Sequence, residues 1–307
     1  MAKPGDVTNR TVQDQVMPLS GVCDCHVHVI GPFDRYPLSP LRSYTPQFAT
    51  ADHLVDMMQR LAIDRAVIVQ PSIFGTDNSC SLEAVPRLQQ AGLQGRVVAV
   101  LDGEVTPSQI DRLHRQGVRG LRVNLQSHAG APLDQALDQI RAASAICERN
   151  GWHVQLFMDR QTIHATKEVL QSLPVPVVFD HFAGLCVDSV DDEPSRSVLE
   201  LLASGQAWIK LSGTYRVTRD PFDERLKPLA QTLAAINPDR LVWASDWPHT
   251  PKHHGKASIE PPVKPYRSID TAHLLHLIDT WLEPAVREQV LVDNPARLYE
   301  FAVRPQA

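Results

Sequence analysis

Eight short runs rich in β-branched and apolar residues punctuate this chain, and stretches of helical periodicity fill the intervals between them. The runs are 22–29 (VCDCHVHV), 65–70 (RAVIVQ), 96–101 (RVVAVL), 118–124 (VRGLRVN), 152–158 (WHVQLFM), 175–180 (VPVVFD), 207–212 (AWIKLS) and 241–246 (LVWASD). Several are nearly continuous in apolar character, as parallel strands are when helices cover their outer faces. Helix-like segments lie at 51–62, 81–92, 107–116, 133–149, 161–172, 195–204 and 222–236, and Thr50, Thr106 and Asp134 stand near helix starts. Two further helical segments, about 270–282 and 284–300, close the chain. Eight strand–helix alternations predict an α/β fold, a (β/α)8 TIM barrel of parallel strands. A doubly wound sheet is the alternative, but the first turn lacks the glycines such a sheet uses.

No internal repeat or linker divides the chain. Residues 21–307 read as a single domain, and residues 1–20, polar and without an apolar core of their own, as a leader. Hydrophobic residues make up 43% and charged residues 21% of 307, enough for a large core. A formal charge of −5 with no basic run argues against nucleic acid as a partner. Nor does any apolar run reach the roughly 18–20 residues of a membrane span. Five cysteines, an odd number, do not suggest a disulfide framework, so a reducing cytoplasmic location is expected. The sequence is silent on oligomeric state.

Three long connections follow strands: 31–48, 183–194 and 247–268. In a barrel of this kind they rim the active face. The third carries His253 and His254, which the sequence leaves undecided between pocket and solvent.

Residues two apart along a strand share a face. Alternation through VCDCHVHV therefore groups Asp24, His26 and His28 on one face and Cys23, Cys25 and Val27 on the other. It points the histidines into the barrel mouth and packs the cysteines outward as small hydrophobes. A structural zinc is not expected, because Cys23 and Cys25 have Cys-x-Cys spacing and Cys80, Cys147 and Cys186 are scattered. Other strand ends add His181 (FDH) and Asp246 (SDWPH), with His249 just beyond. Arg122 and Asn124 share a face at the end of the fourth strand, and Ser212 and Arg216 lie at and beyond the end of the seventh.

His-x-His on strand one, His on strand six and Asp on strand eight resemble the amidohydrolase superfamily. The likeness is closest to its branch of pyrone-dicarboxylate and sugar-lactone hydrolases. It runs from about Gly21 to Tyr299 through DCHVHVIGP, SYTP, GVRGLRVN, GWHVQL, FDH, SDWPH and LVDNPARLY. The resemblance implies hydrolysis of a carboxylate-bearing cyclic ester. Asp246 would activate water, and His26, His28 and His181 would donate to the developing oxyanion. Arg122 and Arg216 would hold a substrate carboxylate, and Tyr44, Ser72, Asn124 and His128 would line the pocket.

Metal-dependent members of the superfamily take ligands from strands one, five, six and eight, often with a lysine on strand four. Strand five here has no histidine at its mouth and strand four no lysine. A binuclear site is therefore not expected. The resemblance to the pyrone lactonase implies metal-independent chemistry, and that is the expectation. The alternative is one zinc on His26, His28 and Asp246, with His181 as ligand or proton carrier. His128 stands where the pyrone-dicarboxylate enzymes have an arginine, and Phe157 where they have a tyrosine. The loop after strand two has Phe74 in place of a polar residue. These departures imply a substrate with one carboxylate, or a sugar-acid lactone. A lactone isomerase, a zinc-dependent hydrolase or decarboxylase on the same scaffold, and a non-enzymatic binder are the competing readings.

Overall fold

The computed structural model describes residues 19–40, 42–125, 132–187, 191–251 and 261–302. Eight parallel strands follow one another around a single sheet in sequence order. They are β1 (Cys23–Val27), β2 (Arg65–Val69), β3 (Gln94–Ala99), β4 (Val118–Asn124), β5 (His153–Phe157), β6 (Val177–Phe179), β7 (Ala207–Leu211) and β8 (Leu241–Trp243). Two backbone bonds bring the last strand back to the first: Asp246 N–H donates to His26 O at 3.0 Å and His28 N–H to Trp247 O at 2.9 Å. The chain thus forms the expected (β/α)8 barrel.

The helices are α1 (Ala51–Arg60), α2 (Ser79–Gln90), α3 (Pro107–Arg115), α4 (Leu133–Glu148), α5 (Arg160–Ser172), α6 (Glu193–Ala203), α7 (Thr214–Val217), α8 (Leu226–Ile236), α9 (Thr271–Trp281), α10 (Pro284–Glu288) and α11 (Asn294–Leu298). Thr50 and Thr106 cap α1 and α3 through reciprocal capping boxes with His53 and Gln109. Asp134 instead lies inside the first turn of α4, where its charge suits the helix dipole. The segment read as one helix over 284–300 breaks into α10, a π turn over Gln289–Asp293, and α11. Among the described residues, no helix is long and apolar enough to cross a membrane.

Strand residues divide between two cores. Ala66, Ile68, Val97, Leu156 and Ile209 pack outward against helix residues such as Leu54, Met58 and Leu88. Val67, Val69, Val98, Val178, Trp208, Val242 and Ala244 fill the barrel interior together with Ala296, Tyr299 and Phe301. The C-terminal segment thus closes the floor, where Arg65 and Arg96 lie over the Phe301 ring at 5.4 and 4.7 Å. At the opposite end the first and last long connections are joined. Thr45 N–H donates to Pro262 O and Lys264 N–H to Thr45 O, each at 3.0 Å.

Cys23 and Cys25 belong to the interior cluster, which corrects the outward placement expected from strict alternation. The cause is a bulge. Cys23 and Asp24 pair with Arg65 and Ala66, but Ile68 pairs with Val27, so β1 holds one residue more than β2 over that interval. Cys25 and His26 therefore both turn inward, the thiol toward the floor and the imidazole toward the mouth. Asp24 leaves the interior face and accepts from Ser245 N–H at 3.0 Å.

Candidate active site

The centre is built where strands end. β6 and β8 stop at Phe179 and Trp243, earlier than the sequence pattern suggests. Beyond them His181 and Asp246 adopt left-handed backbone, with φ of 52° and 62°. Non-glycine residues pay for that conformation, and sites of chemistry are where it is retained. His26 comes from the bulge and His28 from just past β1.

The Asp246 carboxylate is held asymmetrically. Its Oδ2 accepts from the Tyr215 hydroxyl and from Arg216 Nε, each at 2.6 Å. Its Oδ1 lies 3.8 Å from His26 Nε2 and 3.7 Å from His28 Nε2, beyond hydrogen-bond reach, and has no partner. Burial alone would raise the pKa of this carboxyl; Arg216, His181 and the other histidines outweigh it and hold Asp246 well below the usual carboxylate range. It is a permanent anion with one oxygen unengaged.

The tautomer of His28 follows from its partner. His28 Nδ1 is 2.7 Å from Val69 O, and a carbonyl can only accept. Its proton therefore sits on Nδ1, and in the neutral ring Nε2 carries a lone pair. His26 Nδ1 is 3.1 Å from Asp180 Oδ1. Burial holds the His26 pKa well below normal against the pull of Asp180, which favours the neutral ring, and Lys210 Nζ lies 3.3 Å from the same Nδ1. His181 Nδ1 lies 3.1 Å from Ser212 Oγ, and burial lowers its pKa to about 4. Imidazole nitrogens and an anionic oxygen converge on one point.

Beneath them lies a buried polar layer that reading the sequence missed. Lys210 Nζ donates to Gln155 Oε1 at 2.7 Å and lies 3.3 Å from Asp180 Oδ1. Gln155 Nε2 donates to Asp180 Oδ2 at 3.2 Å, and Arg122 approaches the same oxygen at 3.5 Å. Burial would raise the Asp180 pKa; His26, Lys210 and Arg122 instead hold it well below normal. The signal was available: Lys210 shares the parity of Ser212 in AWIKLS, and Asp180 is the first polar residue of FDH. Tyr215, beside Arg216, was missed as well.

Both nominated arginines are engaged. Arg216 grips Asp246 and donates to Thr250 Oγ1 at 2.9 Å, while Arg122 also donates to Gln70 O at 3.3 Å. Tyr44 is buried and hydrogen-bonded to Thr250 beside Arg216. Ser72 opens a short turn after β2 and Asn124 ends β4, both at the mouth. Phe157 sets its ring edge against His181, centroids 5.0 Å apart. Phe74 is buried in the turn that Ser72 opens. His249 turns away to Thr271 Oγ1 at 2.9 Å. His128, His253 and His254 lie outside the described residues.

The donor set fits one divalent cation. One donor atom each from His26, His181 and Asp246 lie within 4.8 Å of one another, and His26 Nε2 and Asp246 Oδ1 are buried without a hydrogen-bond partner. Asp180 behind His26 is the carboxylate–histidine pairing that orients metal-binding imidazoles.

The sequence model of the amidohydrolase family matches residues 23–301. The chain belongs to the amidohydrolase family. Three relatives span nearly its whole length. A 4-sulfomuconolactone hydrolase of Hydrogenophaga intermedia is 34% identical, covering 92% of this chain and 90% of that protein. A 2-pyrone-4,6-dicarboxylate hydrolase of Comamonas testosteroni is 28% identical over 91% and 90%. A D-galactarolactone isomerase of Agrobacterium fabrum is 27% identical over 92% of each.

Proposed function

We propose that this amidohydrolase opens the ring of a small, carboxylate-bearing lactone by hydrolysis. The observation that carries the reading is Asp246, an ionised carboxylate with Oδ1 free toward the mouth and Oδ2 fixed by Tyr215 and Arg216. Oδ1 accepts the proton of an incoming water, and the resulting hydroxide attacks the lactone carbonyl. Fixing Oδ2 aims Oδ1 without neutralising the carboxylate. The proton then returns from Oδ1 to the leaving alkoxide or enolate. Arg122, Arg216, Tyr44, Ser72 and Asn124 form the wall against which the substrate carboxylate is held. The named activities of two of the three relatives, ring opening of anionic lactones, support this assignment. Free thiols at all five cysteines suit a reducing compartment such as the cytoplasm.

A bound cation is favoured by a specific observation. His26 Nε2 is buried 3.8 Å from Asp246 Oδ1 without a hydrogen-bond partner, and a proton held on Nδ1 by Asp180 would leave that nitrogen free to ligate. His26, His181 and Asp246 would hold the ion, with His28 beside them. A divalent cation there supplies Lewis acidity toward the carbonyl and acidifies water. The remaining steps belong to the residues named above.

One experiment tests the reading. Purified protein, analysed for metal content, is assayed before and after chelation on a lactone panel, with products followed by NMR. Ring-opened acids from the wild type are expected, with turnover reduced about 10²–10⁴-fold in Asp246→Asn. A rearranged lactone as product would make the enzyme an isomerase. Unchanged turnover in Asp246→Asn would remove the base assignment. Full activity in metal-free protein would leave the histidines to work without a cation.

A further inference from the structure

We infer that Arg267 forms a second anion-binding subsite of this lactonase centre, taking a carboxylate or sulfonate that the substrate carries in addition to its first carboxylate. This rests on the lactonase reading and extends it to the substrate class: a dianionic lactone. It reverses the single-carboxylate expectation drawn from the loss of an arginine at position 128.

The argument begins with where positive charge is already spent. Arg216 is committed to Asp246 and Thr250, and Arg122 to Asp180 and the Gln70 carbonyl. Each can still offer a spare N–H to a substrate, but each charge already faces a buried carboxylate. Arg267 differs. Among the described residues it has no carboxylate partner, and its Nε, like that of Arg122, is buried without an acceptor. A buried donor on a cationic group is normally satisfied, and beside the centre a substrate anion can supply the acceptor that the protein does not.

Its location ties it to the centre. The Arg267 guanidinium lies over the Tyr215 ring, 5.0 Å from the centroid, and the Tyr215 hydroxyl is the group that donates to Asp246. Its backbone N–H donates to His249 O at 2.9 Å, and His249 N–H donates to Asp246 O at 2.8 Å. Arg267 is therefore one aromatic ring from the catalytic carboxylate by side chain and two hydrogen bonds from it by backbone. Held over Tyr215, the guanidinium offers a planar fork, which suits two-point recognition of a carboxylate or a sulfonate. The sequence supplied no cue, because Arg267 sits in a long loop outside any strand.

The test compares three lactones that share one ring: muconolactone with its single carboxylate, and its 4-carboxy and 4-sulfo derivatives with a second anionic group. KM and kcat are measured for wild type, Arg267→Lys and Arg267→Met. In Arg267→Met, KM for the two dianions should rise by roughly tenfold to hundredfold more than KM for muconolactone, with kcat changing less than KM. Arg267→Lys should recover part of that loss. A loss confined to the sulfo or the carboxy compound names which anion the subsite takes. An equal change for all three lactones would make Arg267 a prop for Tyr215 and overturn the inference, as would no change at all. Wild type inactive on all three would instead sink the lactonase reading. Arg267 would then be judged by calorimetry with inorganic sulfate, where binding lost in Arg267→Met upholds the subsite. Binding that persists in the variant, or is absent from both proteins, removes it.

Discussion

Gly213 shows how tightly single residues constrain the candidate active site. It adopts φ of +58°, and a Cβ there would lie 2.5 Å from His181 Nδ1 and 2.9 Å from its Cγ. Only glycine leaves space for that ring and tolerates that backbone. Gly213→Ala should push His181 away from Ser212, lower kcat by about 10²-fold, and destabilise the fold by about 1–2 kcal/mol from the left-handed conformation. Steady-state kinetics beside urea unfolding checks both numbers. An alanine variant with full kcat would take His181 out of the chemistry. At this scale the sequence was informative about placement where a residue type stands out at a strand end: His26, His28, His181 and Asp246 come together in the fold. It was uninformative where function depends on what surrounds a residue. Lys210 reads as an ordinary charge until Asp180 and Gln155 are found against it, and Gly213 reads as a turn until His181 is found above it.

At the scale of elements, hydrophobic runs located all eight strands, because a strand covered on both faces must be apolar almost throughout. The same pattern could not reveal the bulge in β1. Inserting one residue leaves composition untouched while moving Cys25 and His26 onto one face, so alternation gave the right face for His26 and the wrong one for both cysteines. The broken helix at the C-terminus was also hidden, since a π turn keeps helical periodicity nearly intact. What that break achieves is visible in Asn294. Its Nδ2 donates to Pro238 O at 2.8 Å and to Leu241 O at 2.7 Å, tying α11 to the start of β8. Asn294→Ala removes both of these bonds, one buried and one part-buried, and should cost about 2–3 kcal/mol. The urea midpoint should fall with an unchanged m-value. A midpoint within error of wild type would mean that β8 is held by its strand pairing alone.

For the whole molecule, the consequence of filling a barrel with neutral imidazoles is a dependence on acid. His153 sits above the floor, its ring 5.3 Å from Tyr299, with both nitrogens lacking partners. Burial lowers its pKa to about 3, and burial brings His249 to about 4. An unfolded histidine titrates near 6.5. As pH falls from about 6.5 toward 4, the unfolded chain therefore binds protons that the native state refuses, and stability is lost over that window. Asp24 works the other way. Burial raises its pKa to about 6, so the native state takes up a proton there before the unfolded chain does, and this offsets part of the loss. The histidines outnumber it and have larger shifts, so the net slope favours neutral pH. His153→Leu removes one contributor and two unsatisfied nitrogens together. At pH 7 it should be neutral to stabilising, by up to about 2 kcal/mol, and between pH 6.5 and 4.5 its urea midpoint should fall less steeply than that of the wild type. If the two proteins lose stability in parallel as pH falls, acid sensitivity comes from the mouth of the barrel and not from its floor.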